Sequence, residues 1–244
     1  MGLFNKSCRQ YPDFSMIGTD LHSHILPGMD DGSASMAESL GMIREMERIG
    51  YRKIIVTPHV ISDIYPNTRE KILGQLYHLQ EMLVLEDIQL TVEASAEYNM
   101  DDRLAGRIRT GEVIPFGKDQ YLLIELPWQK PTFAVSEVLS QAKQSGYRVI
   151  ISHPERYSWL IGKMKLYEEL KAQGMLFQIN LNSLTGVYGF PIKMAANQLV
   201  DAGMIEFAGS DAHHLSHIQK MQNVLINRHF IKLVESGKLQ NSVL

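Results

Sequence analysis

Short apolar runs and longer stretches with apolar residues three and four apart alternate along this chain about seven times. The runs predict strands over 15–21, 53–57, 88–94, 121–126, 147–152, 175–181 and 205–209. KIIVT at 53–57 and YLLIEL at 121–126 are almost continuously apolar, as strands of a parallel sheet covered on both faces must be. The intervening stretches predict helices over 34–49, 69–85, 101–109, 133–144, 163–173 and 192–202, with a last one over 218–235. Ser33 is the expected N-cap of the first helix and Gly50 its stop. Strand and helix in alternation imply a parallel sheet with crossover helices. An open doubly wound sheet would carry a glycine-rich phosphate loop after an early strand. Here the first strand runs into Leu21-His22-Ser23-His24 instead. Polar residues closing so many different strands favour a closed barrel, whose mouth gathers the strand ends. The expected fold class is α/β: one domain over residues 1–244, a closed (β/α) barrel of about seven strands, with 1–15 as an N-terminal arm.

Composition narrows the function. The chain has 244 residues, 45% hydrophobic and 21% charged, with a net charge of −3. That suits a soluble globular protein and supplies no basic footprint for nucleic acid. No apolar stretch approaches the length of a membrane span, and the polar start lacks the apolar core of a signal peptide. The Met-Gly start carries Lys6 where myristoylation wants Ser or Thr. One cysteine, Cys8, excludes an internal disulfide, and it lies outside every motif described below.

The chemistry sits at the strand ends. In DLHSHILPGMDDG, residues 20–32, His22 and His24 point the same way if the backbone is extended, and Asp31 follows in a glycine-bracketed turn. An isolated H-x-H is unspecific; here it ends a buried strand and an acidic turn follows. VTPHV brings His59 to the end of the second run. EASAEYN offers Glu93 and Glu97 at the same parity, so spacing does not separate them. Glu125 lies inside the apolar end of LLIELPW, and a buried glutamate needs a cation, an arginine or a metal. ISHPERY repeats the pattern with His153 and adds Arg156, whose planar donor fork suits a phosphoryl group or pairs with a nearby carboxylate. FAGSDAHHLSH supplies Asp211 and His213. Mixed imidazole and carboxylate donors in this number suit two or three divalent ions and argue against thiolate sites. His78 and His229 read as surface or boundary residues, whereas His214 and His217 flank a ligand candidate.

With these residues in place, the chain resembles the PHP (polymerase and histidinol phosphatase) superfamily. Within it, the likeness is to the manganese-dependent protein-tyrosine phosphatases of bacterial capsule and exopolysaccharide operons. DLHSHILPGMDDG, TPH, AEYN, LIEL, SHPERY, QIN and GSDAHHL carry it in order from residue 20 to about 215. The resemblance implies the distorted seven-stranded barrel and a three-metal site. Its metal ligands fall on His22, His24, Asp31, His59, Glu97, Glu125, His153, Asp211 and His213, which chooses Glu97 over Glu93. Its phosphate-binding arginine falls on Arg156. It implies Mn²⁺ first, with Fe or Zn as alternatives, and hydrolysis of phosphotyrosine by a metal-activated water. It also implies a cytoplasmic location and a partner tyrosine kinase that controls polysaccharide synthesis. One departure stands out: the family's second phosphate-binding arginine aligns with Ile218, preceded by His217. Rival expectations are a small-molecule phosphoesterase such as a histidinol-phosphate phosphatase, an amidohydrolase-type barrel, and a metal-binding regulatory module without catalysis.

Overall fold

The computed structural model describes residues 10–130 and 135–244. Cys8, Lys6 and the start of the helix expected over 133–144 lie outside them. Among the described residues, nine strand segments are interspersed with helices. They are β1 (Thr19–Asp20), β2 (Lys53–Val56), β3 (His59–Val60), β4 (Thr91–Ala94), β5 (Glu97–Asn99), β6 (Tyr121–Glu125), β7 (Arg148–Ser152), β8 (Leu176–Asn180) and β9 (Phe207–Gly209). The α-helices are α1 (Met36–Arg48), α2 (Arg69–Leu85), α3 (Leu104–Thr110), α4 (Val135–Gln144), α5 (Met164–Ala172), α6 (Leu181–Thr185), α7 (Phe190–Asp201), α8 (Leu215–Met221) and α9 (Arg228–Glu235).

All strand pairing between these elements is parallel, in a three-stranded sheet ordered β1-β2-β4 and a six-stranded sheet ordered β3-β5-β6-β7-β8-β9. The division falls at two interruptions of a common path. β2 continues into β3 after Thr57 and Pro58, and β4 into β5 after Ser95 and Ala96, with β2 paired to β4 and β3 to β5. Proline contributes no N–H to a ladder, which accounts for the first break. Beyond the two sheets, Ser23 bridges Ala212, and the bonds His24 N–H to Ala212 O (3.0 Å) and Asp211 N–H to His22 O (2.8 Å) tie the segment after β1 to the segment after β9.

Strand side chains divide by parity between two apolar clusters. Ile54, Val56, Leu122, Ile124, Val149, Ile151, Phe177 and Ile179 join the large cluster that includes the helices. Their neighbours Ile55, Tyr121, Leu123 and Ile150, with Leu21, Phe116 and Phe207, form a smaller one. Both faces of the strands are therefore buried, which is why their sequences are nearly all apolar.

Three expected elements differ. The strand expected over 15–21 shrinks to Thr19–Asp20. Its first half is a turn closed by Ile17 N–H and Gly18 N–H on Phe14 O, and Ile17, like Phe14 just before the expected strand, is an anchor in the core rather than a strand position. The N-cap of α1 is Ser35, whose hydroxyl accepts from Glu38 N–H; Ser33 is buried and spends its hydroxyl on Ser35 O and Ser39. The helix expected over 218–235 is broken, because Asn227 takes an extended conformation and caps α9 by accepting from His229 N–H and Phe230 N–H. A 3₁₀ turn, Gln222–Ile226, fills the gap before it. The seven-residue helix near 101–109 and the remaining helices lie within a few residues of expectation.

Candidate metal centre

The nine strand-end residues and Arg156 converge on one place. Eight of these ten line a cavity of about 250 Å³ together with Ile61, Tyr65 and Trp128; His22 and His24 stand behind it. Four overlapping groups bring ligand atoms within 4.8 Å of one another: His24, Asp31, His59 and His213; His22, His24 and Asp211; His22, Glu97 and His153; and His59, Glu97 and Glu125. Each of the nine residues enters at least one group, and Glu97 enters two.

Backbone geometry aims these side chains. His153 and Asp211 both hold positive φ, 30° and 49°, a strained conformation for side-chain-bearing residues that concentrates at functional sites. Gly32 closes the acidic turn so tightly that a Cβ there would meet the His24 carbonyl oxygen at 2.0 Å. Only glycine lets the turn fold back over His24 and present Asp31.

The tautomers of the first pair follow from their partners. His22 Nδ1 faces Gln178 Oε1 at 2.8 Å and His24 Nδ1 faces Asp30 Oδ2 at 2.7 Å, so each Nδ1 carries the proton. That leaves the two Nε2 atoms, 3.2 Å apart, with lone pairs facing a common point. Glu97 and Asp211 share that point, with His22 Nε2 at 3.4 Å from each. Glu97 Oε1 also lies 3.1 Å from His153 Nε2, and its Oε2 3.2 Å from His59 Nδ1. Both Glu97 oxygens, His59 Nδ1 and His153 Nδ1 are nonetheless buried without a properly directed hydrogen bond among the described residues. Buried donor atoms crowded together and unpaired are costly unless a cation sits among them. The nitrogen and carboxylate set therefore fits divalent metal ions.

Without a cation, the neighbouring carboxylates favour a second proton on the two imidazoles, a positive charge that a bound metal would replace. Burial alone would depress His22, but Glu97 and Asp211 hold it above the usual imidazole range. Burial would likewise depress His24, and hydrogen bonds to Asp211 and Asp30 raise it well above that range. Burial pushes Glu125 well up, reinforced by the Glu97 and Asp211 charges. Asp31, at the rim, is held down to about 2 by its hydrogen bond to His213, against a smaller push from burial. Glu125, which resists ionising beside the charges of Glu97 and Asp211, is a carboxylate that a multiply charged cation would stabilise.

Arg156 makes the carboxylate pair that its sequence context allowed. Its Nη1 lies 2.6 Å from Asp211 Oδ2, and it also lines the cavity. Its Cζ packs 4.6 Å from the Tyr188 ring centre and 5.2 Å from that of Trp128. Glu93 parts from Glu97 here: it is half-exposed and pairs with Lys53 at 2.7 Å, whereas Glu97 is fully buried. Ile218 is buried in the large apolar cluster. His217 stands behind His213, its Nδ1 accepting from His213 N–H at 3.3 Å, and is not among the cavity-lining residues. His78 is exposed beside Glu81, and His229 is buried at the boundary near Asp201.

Sequence reasoning missed the supporting residues. Asp30 holds His24 Nδ1 and also accepts from His59 N–H at 2.8 Å. Gln178 holds His22, and Asn180 donates to Asp211 Oδ2 at 2.9 Å. The signal for the last two was present: Gln178 and Asn180 are polar, two apart, in an otherwise apolar strand.

Comparison with known proteins agrees with this geometry. Residues 18–231 match the family described as capsular polysaccharide synthesis, CpsB/CapC. Tyrosine-protein phosphatase YwqE of Bacillus subtilis is 32% identical over 210 residues, 84% of this chain and 83% of that one. Putative tyrosine-protein phosphatase CapC of Staphylococcus aureus is 29% identical over 213 residues, 87% of this chain and 84% of that one. A crystal structure from work on YwqE of Bacillus subtilis and CpsB of Streptococcus pneumoniae, described as metal-dependent tyrosine phosphatases, superposes with a TM-score of 0.79 at 31% identity. It covers 91% of this chain and 94% of that one. The histidinol phosphate phosphatase of Lactococcus lactis shares the fold alone, at a TM-score of 0.56 and 12% identity over 85% of this chain and 92% of that one. The chain belongs to the CpsB/CapC family of capsular polysaccharide synthesis.

Proposed function

We propose that this protein is a metal-dependent protein-tyrosine phosphatase, with His22, His24, Asp31, His59, Glu97, Glu125, His153, Asp211 and His213 as the metal ligands and Arg156 as the phosphate-binding residue. The observation that carries the reading is the convergence of all nine ligand candidates, in overlapping groups, on the cavity that Arg156 also lines. Two or three ions fit that number of donors, and Mn²⁺ is put first on the strength of the family resemblance. When bound, such ions supply positive charge for a phosphoryl group and make a water molecule acidic enough to attack near neutral pH. The residues of the chain do the rest. Asp211, itself fixed by Asn180, pins one arm of Arg156, leaving the other donors of the guanidinium for the non-bridging oxygens of a phosphate. Gln178 and Asp30 keep the His22 and His24 protons on Nδ1. A phenolate leaving group needs little proton donation, so the reaction does not demand a dedicated acid.

The substrate is read as a phosphotyrosine of a kinase that governs polysaccharide synthesis, met in the cytoplasm. Support comes from the family's role and from the names of the relatives. No helix among the described residues is long and apolar enough to cross a membrane. The two sheets are read as one domain, a seven-position barrel. Support comes from the shared path of β2 with β3 and of β4 with β5, the parity of the two clusters, and the link from Ser23 to Ala212.

The ligand assignment is tested by His153→Ala and Glu125→Ala. Each removes a donor from the centre, and each is expected to lower Mn²⁺ content and turnover of a phosphotyrosyl peptide by at least 100-fold. Cys8→Ser should leave turnover unchanged. Full activity with full metal content in both alanine variants would defeat the assignment.

A further inference from the structure

Trp128 is half-exposed, at 50%, where a large apolar ring is normally covered. It is one of the few aromatic side chains on the cavity wall. Its indole lies nearly parallel to the His153 ring, 14° and 5.9 Å between centroids, and the Arg156 guanidinium packs over it at 5.2 Å. The backbone beneath is fixed: Trp159 Nε1–H donates to Pro127 O at 2.9 Å, and Tyr157 adds its ring 5.5 Å from the indole. A phosphate held by Arg156 therefore has its ester substituent beside an exposed, preorganised aromatic surface. An alkyl substituent gains little from that surface. A phenyl ring gains offset stacking at the 4.5–7 Å separations such pairs favour.

We infer that Trp128 determines specificity for aryl phosphomonoesters: its indole is the platform on which the phenyl ring of phosphotyrosine lies while Arg156 holds the phosphate. This inference rests on the proposed phosphatase reading and deepens it. Trp128 does not touch the reacting atoms in this account; it discriminates by what it offers the leaving group. The same placement explains why an indole is kept half in water at a cavity walled mostly by charged and imidazole groups.

The test is calorimetric titration of Mn²⁺-loaded protein with phenylphosphonate and with methylphosphonate, non-hydrolysable probes that differ only in the ring. In the unaltered protein phenylphosphonate should bind the more tightly. Trp128→Ala should weaken phenylphosphonate about tenfold, equivalent to about 1.4 kcal/mol, while methylphosphonate shifts less than twofold. Trp128→Phe should recover most of the loss, which guards against a misfolded alanine variant. If both probes weaken equally, with a parallel loss of bound Mn²⁺, Trp128 merely supports His153 and the inference is overturned. If neither weakens, the platform is overturned too. These failures are separable from failure of the phosphatase reading. That reading falls, and this inference with it, if the unaltered metal-loaded protein releases no phosphate from a phosphotyrosyl peptide.

Discussion

At the scale of single residues, the centre is governed by where protons sit. His22 and His24 become ligand-ready because Gln178 and Asp30 hold their other ring nitrogens. Below them lies Asp20, fully buried, which accepts from Ser210 N–H at 2.8 Å and from the Ser210 hydroxyl at 2.6 Å. Burial outweighs those hydrogen bonds and raises Asp20 from 3.8 to about 6. The sign follows from linkage: a group with a raised folded value stabilises the fold fully below its unfolded value and loses that contribution as pH rises through the folded one. For Asp20 the window runs from about pH 4 to just above 6. Asn in its place keeps its partners, since the Ser210 hydroxyl can accept from the new amide and donate to His22 O, 3.1 Å away. In chelator-treated protein, Asp20→Asn should therefore gain stability relative to the unaltered chain as pH rises across that window, read from urea midpoints. A constant difference between the two proteins would refute the burial argument.

At the scale of elements, what the sequence made legible was burial. Parallel strands covered on both faces leave continuous apolar runs, and β2, β6 and β7 were readable for that reason. Local hydrogen bonding was not readable. Ile17 looks like a strand position but anchors a turn, and nothing in the pattern shows that Ser33 is used up inside while Ser35 caps α1. β3 and β5 were missed because two or three residues carry no periodicity. Site residues were legible where each closes an apolar run; Glu97 needed the family likeness, because its difference from Glu93 is one of burial. Asp30 could not be told from Asp31 as a supporting residue, since both lie in one turn. The turn itself makes a contrast between two glycines. Gly32→Ala drives a Cβ into the His24 backbone and should lower both the melting temperature and turnover, the latter at least tenfold. Gly41→Ala meets nothing within 4 Å in the middle of α1. It should raise the melting temperature by about 2–4 °C, from about 1 kcal/mol of helix propensity, with turnover unchanged. Equal effects at the two positions would contradict this account of the turn.

At the scale of the whole molecule, the parallel order of the strands turns scattered residues into a centre. The ligand candidates span residues 22 to 213, and only a fold that brings all strand ends to one side could collect them. The chain's own contribution is a prearranged, mostly buried set of donors, with Arg156 and Trp128 at the accessible side. The most direct measurement is phosphate release from a phosphotyrosyl peptide by the full chain, with added Mn²⁺ and with a chelator in excess. The account predicts release with Mn²⁺, its loss in chelator and its return on adding Mn²⁺ back. Release that persists in chelator, or none from a protein shown to hold Mn²⁺, would contradict it.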